Sequence, residues 1–520
     1  MSESLPDDGF EATAADGLRT SASGEGVDPD DTATTLRVLG MLHELPSGHD
    51  DISTVKRATS SMYNRVKKTR RREARRAERG PKVIHDRAIL DQTATGSPLR
   101  IDDETKGIPL TSSTGARYAG ELQIPRGCYM CHADYTLVDA FYHWLCPDCA
   151  AMSHERRDRG TDLRGRRALL TGGRAKIGMY IALRLLRDGA DLTITTRFPG
   201  DAARRFAELA DSPEWIDRLT IIGIDLRDPT QVVALTDEVA AAGPLDILIN
   251  NACQTVRRSP GAYSSLVDGE SQPLETGGAT PGMLTFDRVS EAHPAALIGT
   301  LGEHPVPHAD VAARSAADLT KLALSAGNAS LEAHLAGTAV DAGGLLPDVV
   351  ASNSWKQTVD EVDPLELLEV QMCNSVAPFL LVSRLRPAMR AAVERRSEEV
   401  GHAARAYVVN VSAMEGQFSR RYKGAGHPHT NMAKAALNML TRTSAGEMFE
   451  TDRILMTAVD TGWITDERPH HEKLEIAARG WHAPLDLVDG AARVYDPIVR
   501  GERGEDLHGV FLKNFEPYAR

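Results

Sequence analysis

Four of the six cysteines in the chain have the spacing of a metal site. They form two CxxC pairs, Cys128 with Cys131 and Cys146 with Cys149, separated by 14 residues. A CxxC turn directs two thiolates to one side, and two such turns complete a tetrahedral S₄ site. Four thiolates leave no open position for a catalytic water. The pattern therefore predicts a structural zinc that folds a zinc-ribbon-like module at about 120–155.

The same stretch also matches a haem-attachment motif, because CYMCH fits the pattern CxxCH. That attachment requires an exported chain, and it leaves the second cysteine pair unexplained. The N-terminal stretch MSESLPDDGFEATAADG is acidic and has no apolar export segment, and no run of 18 apolar residues predicts a membrane span. We therefore expect a cytoplasmic protein whose cysteines are reduced or metal-bound, and we favour zinc over haem.

Beyond Arg166, short apolar runs alternate with stretches of helical pattern. The runs that we predict to be strands are RALL, DLTITT, RLTIIGID, LDILINNA, ARAYVVNVSAM, ILMTAVD and HGVFLKNF. Such alternation implies right-handed crossovers and a parallel sheet. The predicted fold class is therefore α/β, a Rossmann-type doubly wound parallel sheet that binds ligands at the carboxyl ends of its strands.

The charge of the chain changes sign along its N-terminal part. Residues 1–35 are acidic, small and polar, which predicts a disordered tail. The region 36–119 is basic and partly helical, with dense Arg and Lys at 54–82. We interpret this run as a solvated helix, and an arm that binds nucleic acid is the alternative, which the net charge of −13 does not favour. The predicted nucleotide-binding domain then occupies 160–520.

The stretch 166–515 resembles the short-chain dehydrogenase/reductase superfamily, in an atypical branch, because several of the family's motifs follow one another in the right order. TGGRAKIG is similar to the family's TGxxxGxG turn, with Lys176 in the place of the middle glycine. The resemblance places the pyrophosphate at the N-terminus of the following helix, where the cations of Arg174 and Lys176 pair with phosphate. The cofactor residues implied at this turn are Thr171, Gly172, Arg174, Lys176, Ile177 and Gly178.

The resemblance also implies which dinucleotide is bound. NAD-selective members have an acidic residue near the end of the second strand, whereas Thr196 and Arg197 stand there in this chain and the next carboxylate is Asp201. A guanidinium fits a 2′-phosphate, so NADP is the expected cofactor and NAD is less favoured. The other cofactor residues implied by the motifs are Asp225, Leu226, Asn250, Asn251, Ala252, Lys434, Gly462 and Thr465.

Two further segments, VVNVSAMEG and HPHTNMAKAALNMLT, resemble those that hold the family's catalytic residues. They imply that Ser412 holds the substrate oxygen and that Lys434 anchors the nicotinamide ribose. Asn374, in QMCNSVAPF, matches the asparagine that supports a water bound to the lysine. From Asn251 to Asn374 the chain is far longer than the family needs, so we predict an insertion at about 255–356, which we interpret as a lid beside the cleft.

The family's proton-donating tyrosine, four residues before the lysine, is replaced by Thr430. An aliphatic hydroxyl is far too weak an acid to replace a phenol. Three interpretations follow. The acid has moved to Tyr422, His427 or His429; or Thr430 orients a substrate that needs little acid help; or the site is inactive.

We therefore predict an NADP-dependent oxidoreductase that transfers hydride between NADP(H) and a carbonyl, alcohol or activated alkene in a small-molecule substrate. The alternative is a catalytically inactive scaffold or sensor that binds NADP. Members of the family usually pair through the helices that bear the asparagine and the lysine, so a homodimer or homotetramer is expected. No membrane partner is expected.

Overall fold

The computed structural model describes residues 26–98, 115–258, 263–274, 280–286, 290–298, 345, 352–420, 423–465 and 467–518. The chain divides into two compact units, Met1–His85 and Asp86–Arg520.

The described part of the first unit is helical. Helix α1 spans Pro29–Met41, and the Asp28 side chain caps it by accepting a hydrogen bond of 2.7 Å from the amide of Asp30. Proline at the first helical position favours helix, so the predicted tail at 1–35 is wrong for its last residues. Residues 1–25 lie outside the described residues.

The basic run is a helix, as predicted. Helix α2 spans Asp50–Leu90 and includes Pro81, and every side chain from Asp50 to His85 is exposed or half-buried. Such exposure fits the interpretation as a solvated helix. The alternative, binding of nucleic acid by 54–82, stays a prediction.

The second unit begins with a small module around the cysteines. Strands β1 (Tyr118–Gly127) and β2 (Asp134–Asp139) pair in antiparallel orientation, and helix α3 (Pro147–Asp158) follows the second CxxC pair. The module packs against the remainder of this unit through its own apolar cluster, which includes Leu122 and Tyr142.

The main sheet has nine strands in the order β11-β10-β9-β8-β6-β3-β4-β5-β7. Its strands are β3 (Arg167–Leu170), β4 (Asp191–Thr196), β5 (Leu219–Gly223), β6 (Ile247–Asn250), β7 (Gly282–Thr285), β8 (Ala406–Ser412), β9 (Ile454–Asp460), β10 (Phe511–Lys513) and β11 (Glu516–Pro517). All pairings are parallel except that of β10 with β11. The chain order of the central strands reverses between β3 and β6, as in a doubly wound sheet, so the predicted fold class is confirmed.

Helices cover both faces of this sheet. They are α4 (Lys176–Arg187), α5 (Pro199–Ala207), α6 (Pro229–Ala241), α7 (Ser264–Glu270), α8 (Pro294–Ile298), α9 (Pro364–Gln371), α10 (Ala377–Val400), α11 (Pro428–Asp452), α12 (His470–Ala478) and α13 (Leu487–Glu502). One core cluster lies between the sheet and α4, α5 and α13, and a second lies between the sheet and α6, α10 and α11. The strands are therefore buried on both sides, which explains their continuous apolar runs.

Part of the insertion extends the sheet. Strand β7 lies in parallel beside β5, with Gly282 opposite Thr220 and Thr285 opposite Gly223. The run DLTKLALSA lies outside the described residues, and the interpretation of the insertion as a lid stays a prediction.

One described helical stretch, Pro364–Val400, is long and apolar enough by composition to cross a membrane. Half of its most apolar window is buried in the fold. Core helices of globular domains pass the same test, so length and composition are weak support for a membrane span.

Candidate functional site

The glycine turn after β3 brings helix α4 against the strand. Gly172 has φ +71°, and a Cβ placed on Gly178 would lie 1.9 Å from the carbonyl oxygen of Gly172. A side chain at residue 178 would therefore separate the helix from the turn. Doubly wound folds bind pyrophosphate at a helix N-terminus that packs this closely on its turn, and the predicted role of this turn stays a prediction.

Lys176 occupies a backbone position that favours glycine. It is the first residue of α4 and has φ +53°, in the left-handed region. This conformation explains why glycine is usual here. The preceding residue, Ala175, has no side-chain acceptor, so it does not cap the first turn of α4.

The two arginines of the predicted phosphate site differ in their contacts. The guanidinium of Arg174 forms an ion pair of 2.5 Å with Asp201. That of Arg197, which is exposed, lies 4.9 Å from the ring centre of Tyr263. Asp201 binds Arg174 at the start of α5, and within the part of the chain that the structure describes Arg197 forms no ion pair with a carboxylate. Thr196 beside it is buried.

Asp225 and Leu226 lie at the end of β5, as predicted, but Asp225 is bound by a neighbour that the sequence did not suggest. Its carboxylate is buried and accepts hydrogen bonds from Arg227. The imidazole of His293, from the insertion, lies 3.6 Å away. Arg227 and the hydrogen bond with His293 lower the pKa of Asp225 well below its usual value, against the effect of burial, so the carboxyl is ionised.

The end of β6 is tied to the glycine turn. The Thr171 hydroxyl accepts hydrogen bonds of 3.0 Å from the amides of Asn251 and Ala252. The Asn251 side chain donates to the carbonyls of Thr171 and Gly172. Asn250 instead points into the fold, where it donates to Asn410, so its side chain is part of the core and does not line the cofactor site.

One face of α11 presents three polar side chains at intervals of four residues, Thr430, Lys434 and Asn438. The Lys434 ammonium donates to the carbonyl of Val411 at 2.9 Å, and the hydroxyl of the next residue, Ser412, donates to the Asn438 side chain at 2.6 Å. Residues spaced by four lie on one side of a helix. The structure thus brings the predicted serine and lysine together at the carboxyl end of β8.

The tyrosine position of the family is filled by a threonine that is turned to the backbone. Thr430 is buried, and its hydroxyl donates to the carbonyl of Thr255 at 3.3 Å. Tyr422 lies outside the described residues.

Asn374 fixes the segment that follows β6. It lies in a π-helical turn, Met372–Val376, and its amide forms two hydrogen bonds of 2.8 Å with the backbone of Gln254. Such turns are frequent at functional sites. The oxygen and the nitrogen of this side chain therefore both bind backbone. These contacts give no support to the predicted role of Asn374, which was to hold a water bound to the lysine.

His427 is a poor proton donor in this arrangement. Its Nδ1 lies 2.8 Å from the carbonyl of Trp355, and its ring stacks on the Trp355 ring at 4.0 Å. Burial lowers its pKa, so at neutral pH the ring is neutral and its single proton is on Nδ1, since a carbonyl can only accept. The other nitrogen then has no proton to donate.

The second histidine, His429, is buried near the Glu366 carboxylate, at 3.8 Å. Burial lowers its pKa as well, so it is neutral. Glu366 is occupied by the hydroxyl of Ser354 and the amide of Arg257.

Asp460 is a site residue that the sequence reasoning missed. Strand pairing places it beside Ser412, and both side chains point to the α11 face, because strand residues alternate and Val408 and Met456 belong to the core cluster on that face. Burial and the nearby Glu415 raise the pKa of Asp460 to about 6, although the amide of Gly462, Lys513 and Arg493 act in the opposite direction. In the sequence, the available signal for this residue was an aspartate at the end of a predicted strand, ILMTAVD.

The segment after β9 holds the last two predicted cofactor residues. Gly462 has φ +77°, and its amide donates to the Asp460 carboxylate at 3.3 Å. Thr465 is half-buried three residues further on. This segment therefore lies at the same edge of the sheet as Ser412.

The four cysteines of the two CxxC pairs form one cluster, with all sulfur atoms within 4.8 Å of one another. Cys131 is exposed and the other three are buried. The sulfurs of Cys131 and Cys146 are 3.7 Å apart, too far for a disulfide of about 2.05 Å. A tetrahedral site with bonds of about 2.3 Å has edges of about 3.8 Å, so the spacing fits a metal.

The family model of the short chain dehydrogenases matches residues 166–266. A "Probable oxidoreductase" of Streptomyces antibioticus is 41% identical over 91 residues, which is 18% of this chain and 30% of that protein. Residues 166–266 are therefore similar to the short chain dehydrogenases. An uncharacterized protein of Acanthamoeba polyphaga mimivirus is 30% identical over 386 residues, which cover 72% of this chain and 71% of that protein.

Two solved structures align with the chain at low sequence identity. A short chain dehydrogenase from Burkholderia cenocepacia in complex with NADP is 19% identical, with a TM-score of 0.39, covering 68% of this chain and 97% of that one. The carbonyl reductase Sniffer of D. melanogaster is 17% identical, with a TM-score of 0.41, covering 69% and 100%.

We predict that Asp460→Asn stabilises the protein at pH 8 and has no effect at pH 4. A carboxyl whose pKa rises from about 3.8 to about 6 on folding destabilises the native state above pH 6, by up to about 3 kcal/mol. This destabilisation appears between about pH 4 and pH 6, and asparagine removes it. The measurement is urea unfolding at pH 4, 6 and 8.

Asp452→Asn is the matched control, and it should have the opposite effect on stability at neutral pH. Burial alone would raise the pKa of Asp452, but Arg390 and Arg386 lower it, so its charge stabilises the protein at neutral pH and that stabilisation is lost in acid. An Asp460→Asn protein that is no more stable than wild type at pH 8 would contradict the raised pKa.

Proposed function

We propose that the chain is an NADP(H)-dependent oxidoreductase of the short-chain type that acts on a small-molecule carbonyl, alcohol or activated alkene. The observation that supports this proposal is the placement of Lys434 and Ser412 at the carboxyl end of β8. The glycine turn lies two strands away at the same edge of the sheet, since β6 separates β8 from β3. Ligands of doubly wound sheets bind at this edge.

The choice of NADP is supported by charge. Arg197 is exposed at the end of β4, where its guanidinium can bind a 2′-phosphate through two parallel hydrogen bonds. The nearest carboxylate along the chain, Asp201, is already paired with Arg174. Among the described residues, a ribose with free hydroxyls would thus find no available carboxylate at the end of β4.

When bound, NADPH supplies the hydride. In this proposal the Lys434 ammonium holds the nicotinamide ribose, and the Ser412 hydroxyl holds the substrate oxygen. Asp460 would replace the missing tyrosine as proton donor: its carboxylic acid would give a proton to the substrate oxygen and would be reprotonated by solvent. A carboxyl with a pKa of about 6 is partly protonated near neutral pH, as general acid catalysis requires.

A second candidate is a scaffold or sensor that binds NADP without turnover. It is favoured by the side chain in the tyrosine position, because the Thr430 hydroxyl is too weak an acid and donates to backbone. The two candidates share cofactor binding and differ in turnover.

We also propose a homo-oligomer that pairs through α10 and α11. These helices expose large apolar side chains, among them Phe379 at 54%, Met432 at 58% and Met439 at 62%. Exposed apolar surface on two neighbouring helices is typical of an interface between subunits.

Lys434→Ala is expected to abolish NADPH oxidation on every carbonyl or enoyl compound that the wild-type protein reduces. The ammonium is buried, and its removal leaves the ribose without its cation. The measurement is absorbance at the NADPH band with a substrate panel, and Lys67→Ala, on the exposed surface of α2, is the control. Tight NADPH binding by wild type without turnover on any compound would favour the scaffold.

Arg197→Asp is expected to lower the preference for NADPH over NADH on the order of tenfold to a hundredfold, because charge-assisted hydrogen bonds are lost and a carboxylate repels the 2′-phosphate. Titration of both cofactors measures the ratio of dissociation constants. Arg164→Asp, in an exposed ion pair with Asp162, is the control with the same charge change. An unchanged ratio would exclude Arg197 from the phosphate site.

We propose that the cysteine cluster holds one structural Zn²⁺. The support is the clustering of the four sulfurs within 4.8 Å of one another, with Cys131 and Cys146 at 3.7 Å, and the burial of the three cysteines other than Cys131. An amide hydrogen bond of 3.3 Å from Cys146 to the Cys128 sulfur is typical of a thiolate knuckle. Such a metal stabilises a module too small for a large core of its own.

Elemental analysis is expected to find one zinc per chain in the wild-type protein and clearly less in Cys131→Ser, because a hydroxyl is a much poorer zinc ligand than a thiolate. Cys253→Ser, an exposed cysteine outside the cluster, should keep the wild-type zinc content. Wild-type protein with less than one zinc after gentle purification, or a Cys131→Ser protein with full zinc, would contradict the site.

A further inference from the structure

The segment that follows β9 is held by a residue from the cysteine module. The amide of Trp463 donates to the Tyr129 hydroxyl at 2.8 Å, a contact between residues 334 positions apart. The Tyr129 hydroxyl also lies 3.6 Å from the position of a Cβ on Gly462. The main chain of this segment therefore passes directly over the Tyr129 hydroxyl, next to Asp460.

Tyr129 is itself fixed by the first CxxC turn, because it stands between Cys128 and Cys131. Its amide donates to the carbonyl of Trp144 at 2.9 Å, and its ring lies 6.3 Å from the Trp144 ring. The Cys128 sulfur of the same turn accepts from the amide of Cys146. The geometry of the cysteine cluster therefore determines where the Tyr129 hydroxyl lies.

The module reaches the other end of the proposed cofactor site as well. Its apolar cluster includes Ile464, from the segment after β9, and Ile177, from the first turn of α4. These two side chains meet over Gly490, where a Cβ would lie 3.1 Å from Ile464 and 3.3 Å from Ile177. The cysteine module is thus in contact with both the pyrophosphate turn and the segment beside Asp460.

We propose that Tyr129 is a positioning residue that couples the metal state of the cysteine cluster to cofactor affinity. With metal bound, the CxxC turn holds the hydroxyl in place, and the hydroxyl holds the Trp463 amide in the conformation that receives the cofactor. Loss of metal releases the turn, and the segment loses this anchor. The expected change in NADPH affinity rests on the proposed function. Hydrogen exchange of the Trp463 amide can be measured whether or not the protein binds NADPH.

The test compares wild type, Tyr129→Phe and Tyr63→Phe as full-length, zinc-loaded proteins, and again after zinc removal with a chelator. Tyr63 is an exposed tyrosine on α2, outside the cysteine module, and is the matched control. Amide hydrogen exchange of the 460–465 segment and the dissociation constant of NADPH are measured in each state.

We expect Tyr129→Phe to accelerate exchange at Trp463 and to weaken NADPH binding about fivefold in the zinc-loaded protein, as loss of one hydrogen bond implies. Zinc removal should accelerate exchange in wild type to the Tyr129→Phe level, and the two proteins should then bind NADPH equally. Equal exchange at Trp463 in the zinc-loaded proteins would overturn the proposal. A wild-type protein that does not bind NADPH would refute the proposed function, while the exchange comparison would still test the anchor.

Discussion

The close approach of helix α4 to the turn after β3 is the contact on which the proposed site depends. It exists because residue 178 is glycine: any Cβ there would collide with the Gly172 carbonyl. The Asn251 side chain then binds the carbonyls of the same turn, so the ends of β3 and β6 form one unit. The N-terminus of α4, with its partial positive charge, is directed at the carboxyl edge of the sheet, where the other candidate residues lie.

Around that edge the structure holds several side chains in place through backbone contacts. Asn374 binds the main chain of Gln254, Lys434 binds the carbonyl of Val411, and Thr430 binds that of Thr255. These bonds link helical residues to β8 or to the segment that follows β6. The acid of the family is absent from its usual position, and the strand-terminal Asp460 lies beside the serine instead.

Much of this fold could be predicted from the sequence because its signals are local. Continuous apolar runs predicted seven strands that the structure contains, β3 to β6 and β8 to β10. The turn TGGRAKIG predicted the connection from β3 to α4. Strand β7 was missed, since GMLT lies within a long insertion of weak pattern and pairs with β5 only through tertiary contacts. The start of α1 was missed because its cap, Asp28, lies within an acidic stretch that reads as disordered.

The candidate site could be predicted only where motif and structure coincide. Ser412 lies beside Lys434, and the four cysteines form a separate cluster, both as expected. By contrast, Asn250 points into the core and Asp225 is bound by Arg227. The contact of Tyr129 with Trp463 joins residues 334 positions apart, so no local pattern could indicate it. Such partners depend on the packing of the whole unit.

Calorimetric titration of NADPH into the intact, zinc-loaded chain tests the central claim most directly. We expect one NADPH to bind per chain, because the N-terminus of α4 can bind its pyrophosphate. NADH should bind more weakly, because it lacks the 2′-phosphate that the exposed Arg197 can bind. Absence of binding heat with NADPH, under conditions in which the protein is folded and contains its metal, would contradict it.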